Sequence, residues 1–319
     1  MQRMRIGIEN RQAARLVVLS GLLAVGACVT GTSTAGTTDD HRIEIVATTS
    51  IIGDVVANLV GDAAILDVVL PAGTDPHDFA PSPQQVASIT GADLVVANGL
   101  GLEEGLTDAI EAAASEGTPV LRLAEQLDPL PLIGSQGDDG SGAALDPHFW
   151  HDPDRMARAI DLIVGELTAL DSSVDWQRGA SGYRAEVEEA GDEAEKILSG
   201  VPTGQRILVT SHDSLGYFAD RFGFEVISTV IPGGSTLAEP SGRGIAELVN
   251  TIEATGVSVI LIDTSSPAAI ADTVAAEAGG DVLVVPIFTD SLGEPGSGAD
   301  TYVGMIRTNA ARVAEAIAR

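Results

Sequence analysis

Short runs of apolar residues alternate with amphipathic stretches along both halves of the chain. Such alternation predicts strands connected by helices, which is the pattern of an α/β fold. The predicted strands lie at 43–47, 65–70, 94–97, 119–123, 207–210, 225–230, 257–262 and 282–286. The helices predicted between them lie at 50–60, 84–89, 106–114, 214–222, 240–254, 267–278 and 300–318. Ser50 and Ser82 are expected to cap the first two helices.

Two longer helical patterns separate the halves. Residues 154–170 have amphipathic spacing, and residues 176–198 form a longer, strongly charged pattern that Pro202 ends. A helix of about 23 residues spans about 35 Å, which is the scale of a domain. Because this second helix is so polar, we expect it to be a solvated strut between two lobes.

The beginning of the chain predicts an export signal. A basic region precedes an apolar run at 16–27 that is too short for a comfortable membrane span. Cys28 follows two small residues, as in a bacterial lipobox. We therefore expect residues 1–27 to be a signal peptide and Cys28 to carry a lipid anchor, the alternative being an ordinary signal peptide with a chance cysteine. Residues 28–40 are small and polar, as in a flexible tether.

Composition narrows the possible functions. The 319 residues suffice for two domains, and the formal charge of −29 argues against a nucleic-acid partner. Only 3% of the residues are aromatic, which fits layers of small aliphatic side chains. Cys28 is the only cysteine, so the chain forms no internal disulfide.

The scarce histidines carry the candidate chemistry. The triplet Asp-Pro-His occurs twice and ends at His77 and His148, two of only five histidines in the chain. Histidine is the commonest protein metal ligand, and proline stiffens the turn that presents it. The two turns could therefore face each other across a cleft. Asp75 and Asp146 are expected to form the turns or to orient the imidazoles.

Two further candidates follow predicted strands. His212 comes after the strand at 207–210, and Asp290 comes after the last strand. Ligands gather beyond the carboxyl ends of strands in open α/β sheets. His151, three residues after His148, is interpreted as a residue at the rim of the site or behind the ligands, with ligation as the alternative. The spacing Gly-x-Gly-x-x-x-Gly at 99–105 is one residue too long for a dinucleotide fingerprint and predicts a tight turn.

Five ordered segments resemble one known family. The chain is similar over nearly all of residues 28–319 to the solute-binding lipoproteins of zinc and manganese ABC importers, the ZnuA/TroA-like family. The segments are GTDPHDFAPSP at 73–83, NGLGLEEGL at 98–106, DPHFWHDP at 146–153, TSHDSLGYFADRFGFEV at 210–226, and FTDSLG with TYVGMIRTN within 288–309. Any one of them alone is a weak signal, and their common order makes the resemblance specific.

The resemblance implies a fold and a site. It implies two (β/α) lobes joined by a single long helix, with the metal in the cleft between them. We expect an N-terminal lobe at 41–174, a connecting helix at 175–200 and a C-terminal lobe at 201–319. The metal ligands implied by the resemblance, two from each lobe, are His77, His148, His212 and Asp290.

The donor set favours zinc. Three imidazoles and one carboxylate close a four-coordinate shell, which suits Zn²⁺. Mn²⁺ prefers more oxygen ligands, and manganese-specific members of the family often have a carboxylate where His212 stands. Manganese or iron is the alternative within the same family.

The function that follows is that of an extracytoplasmic binding protein, not an enzyme. It is expected to be a monomer, anchored to the outer face of the cell membrane or periplasmic, that hands a divalent metal to an ABC permease. A zinc hydrolase is the alternative from another class, but it would need an open coordination position, and the sequence has no HExxH. A surface adhesin is a third possibility, which can coexist with metal binding.

Overall fold

The computed structural model describes residues 42–133, 143–266, 268–279 and 282–319. The predicted signal peptide, the predicted tether and Cys28, the predicted site of the lipid anchor, lie outside the described residues. Within them, no helix is long and apolar enough to cross a membrane.

The first sheet has four parallel strands in the order β2-β1-β3-β4. Its strands are β1 (Glu44–Ala47), β2 (Ile65–Val68), β3 (Leu94–Ala97) and β4 (Val120–Arg122). The helices between them are α1 (Ser50–Val60), α2 (Pro83–Gly91) and α3 (Thr107–Glu116). All four residues of β3 are buried, as expected for a central strand covered on both faces. From β1 the chain passes to β2 on one side of β1 and then crosses to β3 on the other side. The direction of the strand order therefore reverses between β1 and β3.

The second sheet repeats this topology in the order β6-β5-β7-β8. Its strands are β5 (Ile207–Thr210), β6 (Glu225–Thr229), β7 (Val259–Asp263) and β8 (Leu283–Ile287). The helices that follow these strands are α6 (Gly216–Phe222), α7 (Gly242–Thr255), α8 (Ala269–Ala278) and α9 (Tyr302–Ile317). The reversal lies between β5 and β7, and such reversal points are where open α/β sheets form binding crevices.

Two long helices, α4 (Pro153–Leu170) and α5 (Trp176–Leu198), connect the halves. The prediction that α5 is a solvated strut is wrong for one of its faces, which is buried against α1, α4 and α9. Small residues make this contact close. A Cβ atom at Gly179 would lie 2.7 Å from the Leu59 carbonyl oxygen, and one at Gly191 would lie 3.0 Å from Pro153 Cβ.

One apolar cluster joins the two sheets. It takes side chains from one face of each sheet, such as Ile45 and Leu94 from the first and Leu208 and Val259 from the second. Helices α1, α4, α5, α6 and α9 fill the space between these faces. A separate cluster under α2 and α3 covers the other face of the first sheet, and one under α7 and α8 covers the other face of the second. The protein therefore consists of two parallel-sheet α/β lobes around a shared helical centre.

The helix caps are only partly as predicted. Ser82 caps α2 and forms a capping box with Gln85, as expected. For α1 the prediction is wrong, because Thr49 and not Ser50 accepts the bond from the Ile52 amide. The Ser50 hydroxyl lies 3.1 Å from the Ser291 hydroxyl of the other lobe.

Candidate metal centre

Four of the predicted side chains converge between the lobes. The potential ligand atoms of His77, His148, His212 and Asp290 all lie within 4.8 Å of one another, and all four residues are buried. His77 follows β2, and His212 and Asp290 follow β5 and β8 at the carboxyl ends of the second sheet. His148 precedes α4 and is followed by a short 3₁₀ turn at Phe149–His151. The predicted candidates are thus brought together.

The two Asp-Pro-His triplets form the same turn. The Oδ1 atom of Asp75 accepts the His77 amide at 2.9 Å, and the Oδ1 atom of Asp146 accepts the His148 amide at 2.9 Å. Each aspartate therefore forms the turn that presents the histidine two residues later, as the sequence predicted. Asp146 Oδ1 also lies 2.7 Å from His148 Nδ1. Because a carboxylate here favours a proton on Nδ1, the lone pair of Nε2 is left for another partner.

The Asp290 carboxylate lies between two imidazoles. Its Oδ1 atom is 3.8 Å from His148 Nε2, and its Oδ2 atom is 3.3 Å from His212 Nε2. The three imidazole centroids are 5.3 to 5.7 Å apart. This spacing leaves the rings around a common point instead of stacked against one another.

The facing polar atoms lack hydrogen-bond partners within the described part of the chain. These buried atoms are His77 Nδ1 and Nε2, His148 Nε2, His212 Nε2, and Asp290 Oδ1 and Oδ2. Buried polar groups in native proteins are nearly always paired, so a group of orphaned acceptors requires an explanation. A divalent cation would take one nitrogen from each imidazole and the carboxylate of Asp290, and the chemistry of these groups fits such an ion.

Burial also sets the protonation of the site. It lowers the pKa of His148 and His212 well below the usual range, and it lowers the pKa of His77. Metal binding requires neutral imidazoles, so this shift favours ligation. Burial, together with the charge of Asp263, raises the pKa of Asp290 well above its usual range. A metal ion must therefore compete mainly with the proton on Asp290.

Two residues outside this group hold the backbone that carries Asp290. Trp150 Nε1 donates to the Thr289 carbonyl at 2.6 Å. Asp263, the last residue of β7, accepts the Asp290 amide at 3.2 Å. Sequence reasoning missed Asp263, although its position at a strand end was the same signal that singled out His212 and Asp290.

His151 is not one of the four converging residues, but it lies against the backbone of Thr289, next to Asp290. It is 1% exposed and borders a small cavity lined mostly by apolar side chains, among them Phe218 and Ile306. The interpretation of His151 as a residue at the rim of the site is therefore wrong, whereas its position beside the Thr289 backbone agrees with the other half of that interpretation, a residue behind the ligands. Phe149–His151 is a 3₁₀ turn, so this segment is not a regular α-helix.

The glycine-rich segment after β3 is a tight turn, as predicted. The Glu103 carboxylate accepts the Asn98 amide at 2.7 Å and the Gly99 amide at 3.2 Å. The buried Glu103 carboxylate thus accepts hydrogen bonds from backbone amides that a bound phosphate would otherwise accept. Asn98 in turn donates to the Pro147 carbonyl at 3.0 Å, next to His148.

Most of the chain matches one known protein family. Residues 45–316 match the family described as "Zinc-uptake complex component A periplasmic". The chain belongs to this family. Its members are solute-binding proteins and not enzymes, so the chain is a metal-binding, substrate-binding protein of the ABC importer type. The predicted family, the fold class and the extracytoplasmic setting are confirmed.

Named relatives of the chain are binding lipoproteins. The "Manganese-binding lipoprotein MntA" of Halalkalibacterium halodurans is 27% identical over 92% of this chain and 94% of that protein. The "Manganese ABC transporter substrate-binding lipoprotein PsaA" of Streptococcus anginosus is 29% identical over 95% of this chain and 98% of that protein. The "Iron ABC transporter substrate-binding lipoprotein MtsA" of Streptococcus pyogenes is 27% identical over 94% and 96%.

Solved structures share the fold. The periplasmic zinc-binding protein TroA from Treponema pallidum superposes with a TM-score of 0.78 at 25% identity. The match covers 88% of this chain and all of that one.

Proposed function

We propose that this protein captures a divalent transition metal with His77, His148, His212 and Asp290 and delivers it to an ABC permease. The observation that supports this is the group of buried, orphaned ligand atoms within 4.8 Å of one another. In this proposal the metal is cargo, which the protein binds and releases unchanged.

The donor set favours zinc as the cargo. Three imidazole nitrogens with a carboxylate form a four-ligand shell typical of closed Zn²⁺ sites. A carboxylate behind the ligands is also typical of zinc sites, and here Asp146 orients the imidazole of His148.

Manganese is a second candidate because of the relatives, two of which are named as manganese proteins. Both oxygens of Asp290 lack a hydrogen-bond partner within the described residues, so the carboxylate can offer two oxygen donors. A shell richer in oxygen suits Mn²⁺ better than a four-ligand shell does. Iron, named for a third relative, falls in the same group of candidates.

The proposed setting follows from the beginning of the chain and the family. We propose that Cys28 carries a lipid anchor at the outer face of the cell membrane, with residues 28–40 as its tether. The protein acts as a monomer that meets its permease at the membrane surface. The proposed domain organisation is an N-terminal lobe at 41–174, a connecting helix at 175–200 and a C-terminal lobe at 201–319.

Metal titration tests the site. Chelator-treated protein is titrated with Zn²⁺ and Mn²⁺ in competition with a chromophoric chelator, and bound metal is counted by mass spectrometry. We expect one ion per chain and tighter binding of zinc. Failure to bind either ion would overturn the proposal.

Affinity alone does not identify the cargo, because divalent affinities broadly follow the Irving–Williams order. Uptake of labelled zinc and manganese must therefore be compared in cells with and without the gene. Loss of zinc uptake alone supports zinc, whereas loss of manganese uptake alone would replace zinc by manganese.

A further inference from the structure

Asp263 lies behind the proposed ligands and faces the backbone that carries one of them. Its side chain is buried, with the residue 1% exposed. The Oδ2 atom accepts the Thr289 amide at 2.8 Å and the Asp290 amide at 3.2 Å, and it also accepts the Thr289 hydroxyl. One carboxylate oxygen thus fixes two consecutive residues, of which the second is the proposed carboxylate ligand.

The other oxygen of Asp263 has a separate task. The Oδ1 atom accepts the Ser265 amide at 2.6 Å and the Ser265 hydroxyl, which closes the turn after β7. The Asp263 amide donates to Ser211 Oγ at 3.3 Å, beside His212. Asp263 therefore connects the ends of β5, β7 and β8, from which two of the four proposed ligands extend.

The charge of Asp263 reaches the site without a competing ion pair. Within the described residues, its carboxylate contacts the amides of Ser265, Thr289 and Asp290 and the hydroxyls of Ser265 and Thr289, with no arginine or lysine among them. Its negative charge acts on His77, His212 and Asp290, where it favours the positively charged or protonated form. A cation between these groups would feel the same attraction.

We propose that Asp263 is a positioning residue of the metal centre, which fixes Asp290 through its backbone and adds negative charge behind the site of a divalent cation. This inference rests on the proposed function. Three neutral imidazoles and one carboxylate give the ligand group a single negative charge. Asp263 adds negative charge from behind the ligands, as Asp75 and Asp146 also do at Asp290. Asp263 differs from these two aspartates because it also binds the backbone amide of the proposed carboxylate ligand, whereas they bind the amides of His77 and His148.

Three variants separate these contributions. Asp263→Asn removes the charge; its amide oxygen can still face Thr289 and Asp290, while its NH2 group replaces the oxygen that accepts the Ser265 amide. Thr289→Val removes one hydrogen bond to Oδ2 and keeps the charge. Ser265→Ala is the matched control, because it removes only a hydroxyl that contacts the opposite oxygen.

Zinc affinity, the visible spectrum of the Co²⁺-loaded protein and metal-free thermal unfolding are measured for each variant beside the wild type. We expect Asp263→Asn to weaken zinc binding by about 10- to 100-fold, as for other residues that support metal ligands. Thr289→Val should weaken it by roughly 2- to 10-fold, the effect of one hydrogen bond. Both should change the cobalt spectrum, which reports the ligand geometry, and Ser265→Ala should change neither reading.

The outcomes distinguish this inference from the proposed function. If the wild type binds no metal, both fail. If the wild type binds one ion while Asp263→Asn and Thr289→Val retain its affinity and cobalt spectrum, only the role of Asp263 is overturned. The same holds if Ser265→Ala loses as much affinity as Asp263→Asn, or if Asp263→Asn lowers the melting temperature alone. If Asp263→Asn does not fold, Thr289→Val decides by the same readings.

Discussion

Thr236 Oγ1 donates to Asp75 Oδ2 at 2.7 Å, and the other oxygen of the same carboxylate accepts the His77 amide. Thr236 lies in the segment between β6 and α7 of the second lobe, whereas Asp75 precedes His77 in the first. One aspartate therefore positions a proposed ligand and holds the opposite side of the cleft. A second hydrogen bond between the lobes runs from the Gly73 amide to Ser291 Oγ, at 2.8 Å.

Thr236→Val should therefore speed the release of metal. The substitution keeps the size of the side chain and removes one hydrogen bond, worth about 0.5–1.5 kcal/mol. We expect zinc to dissociate roughly 2- to 10-fold faster in a stopped-flow assay with excess chelator. Ser235→Ala is the comparison variant, because it removes a 2.9 Å contact with exposed Glu104 and a 3.3 Å contact from the Leu237 amide, and neither of these touches Asp75. An unchanged rate in Thr236→Val would show that this contact does not restrain the bound ion.

His212 tests the choice of metal. His212→Ala removes a proposed nitrogen ligand and should weaken zinc binding by more than the ~10–100-fold typical of changes behind the ligands. His212→Glu should retain a ligand and shift the relative preference towards manganese, since an oxygen donor replaces a nitrogen. Competition titrations with both metals measure this. Ser265→Ala is the control and should leave both affinities nearly unchanged.

Asp290→Asn should lose metal affinity while the metal-free protein becomes more stable at neutral pH. Burial raises the pKa of Asp290, so its contribution to stability is greatest at low pH and is lost as the pH rises above about 3.8. A neutral asparagine removes that loss. We expect the melting temperature of the variant to exceed that of the wild type by a margin that grows with pH. Zinc should raise the melting temperature of the wild type only. A variant that is less stable at every pH would contradict this.

His151→Leu should reveal the cost of a buried imidazole. Burial lowers the pKa of His151 to about 3, so between about pH 6.5 and 3 the unfolded chain binds a proton that the folded protein does not. The wild type therefore loses stability relative to the variant as the pH falls through that window, by up to about 1.4 kcal/mol per pH unit. Urea unfolding of both proteins between pH 8 and 4 measures the difference, which should be constant above about pH 7.5.

The difference in the free energy of unfolding between the two proteins must be measured, because other groups mask the titration of His151 in the wild type alone. Burial raises the pKa of Asp146 and Asp213 to about 7. In the same pH window these carboxyl groups bind protons in the folded state and oppose the effect of the histidine. A difference that does not change with pH would mean that His151 titrates normally.

Cys28→Ser should release the protein from the membrane fraction, because the proposed lipid anchor needs the thiol. Fractionation and mass spectrometry of the mature protein measure this. An unmodified Cys28 in a soluble wild-type protein would disprove the anchor.

The candidate site could be found from the sequence mainly because histidines are rare. Only five occur, and the repeated Asp-Pro-His triplet marks two of them. Aspartates are common, so Asp290 stood out mainly through its segment, and Asp263 was overlooked. Its importance depends on which amides its carboxylate meets, and that depends on the order of strands in the sheet.

The packing of α5 could not be predicted for a related reason. Its buried face contains Ala180, Ala190, Gly191 and Ala194, whose small side chains contribute little to an apolar pattern. They matter because they allow neighbouring helices to approach closely. A sequence pattern records the hydrophobicity of a residue, whereas this contact depends on the absence of bulk.

The apolar cluster shared by the two sheets makes the lobes inseparable as folding units. A chain divided between α4 and α5 would split this cluster, so neither fragment would retain a complete core. Calorimetry of the metal-free protein should accordingly show one cooperative transition for both lobes. A wide swing of the lobes would expose the same cluster to water, so opening of the cleft is expected to involve the segments around the ligands and not the sheets.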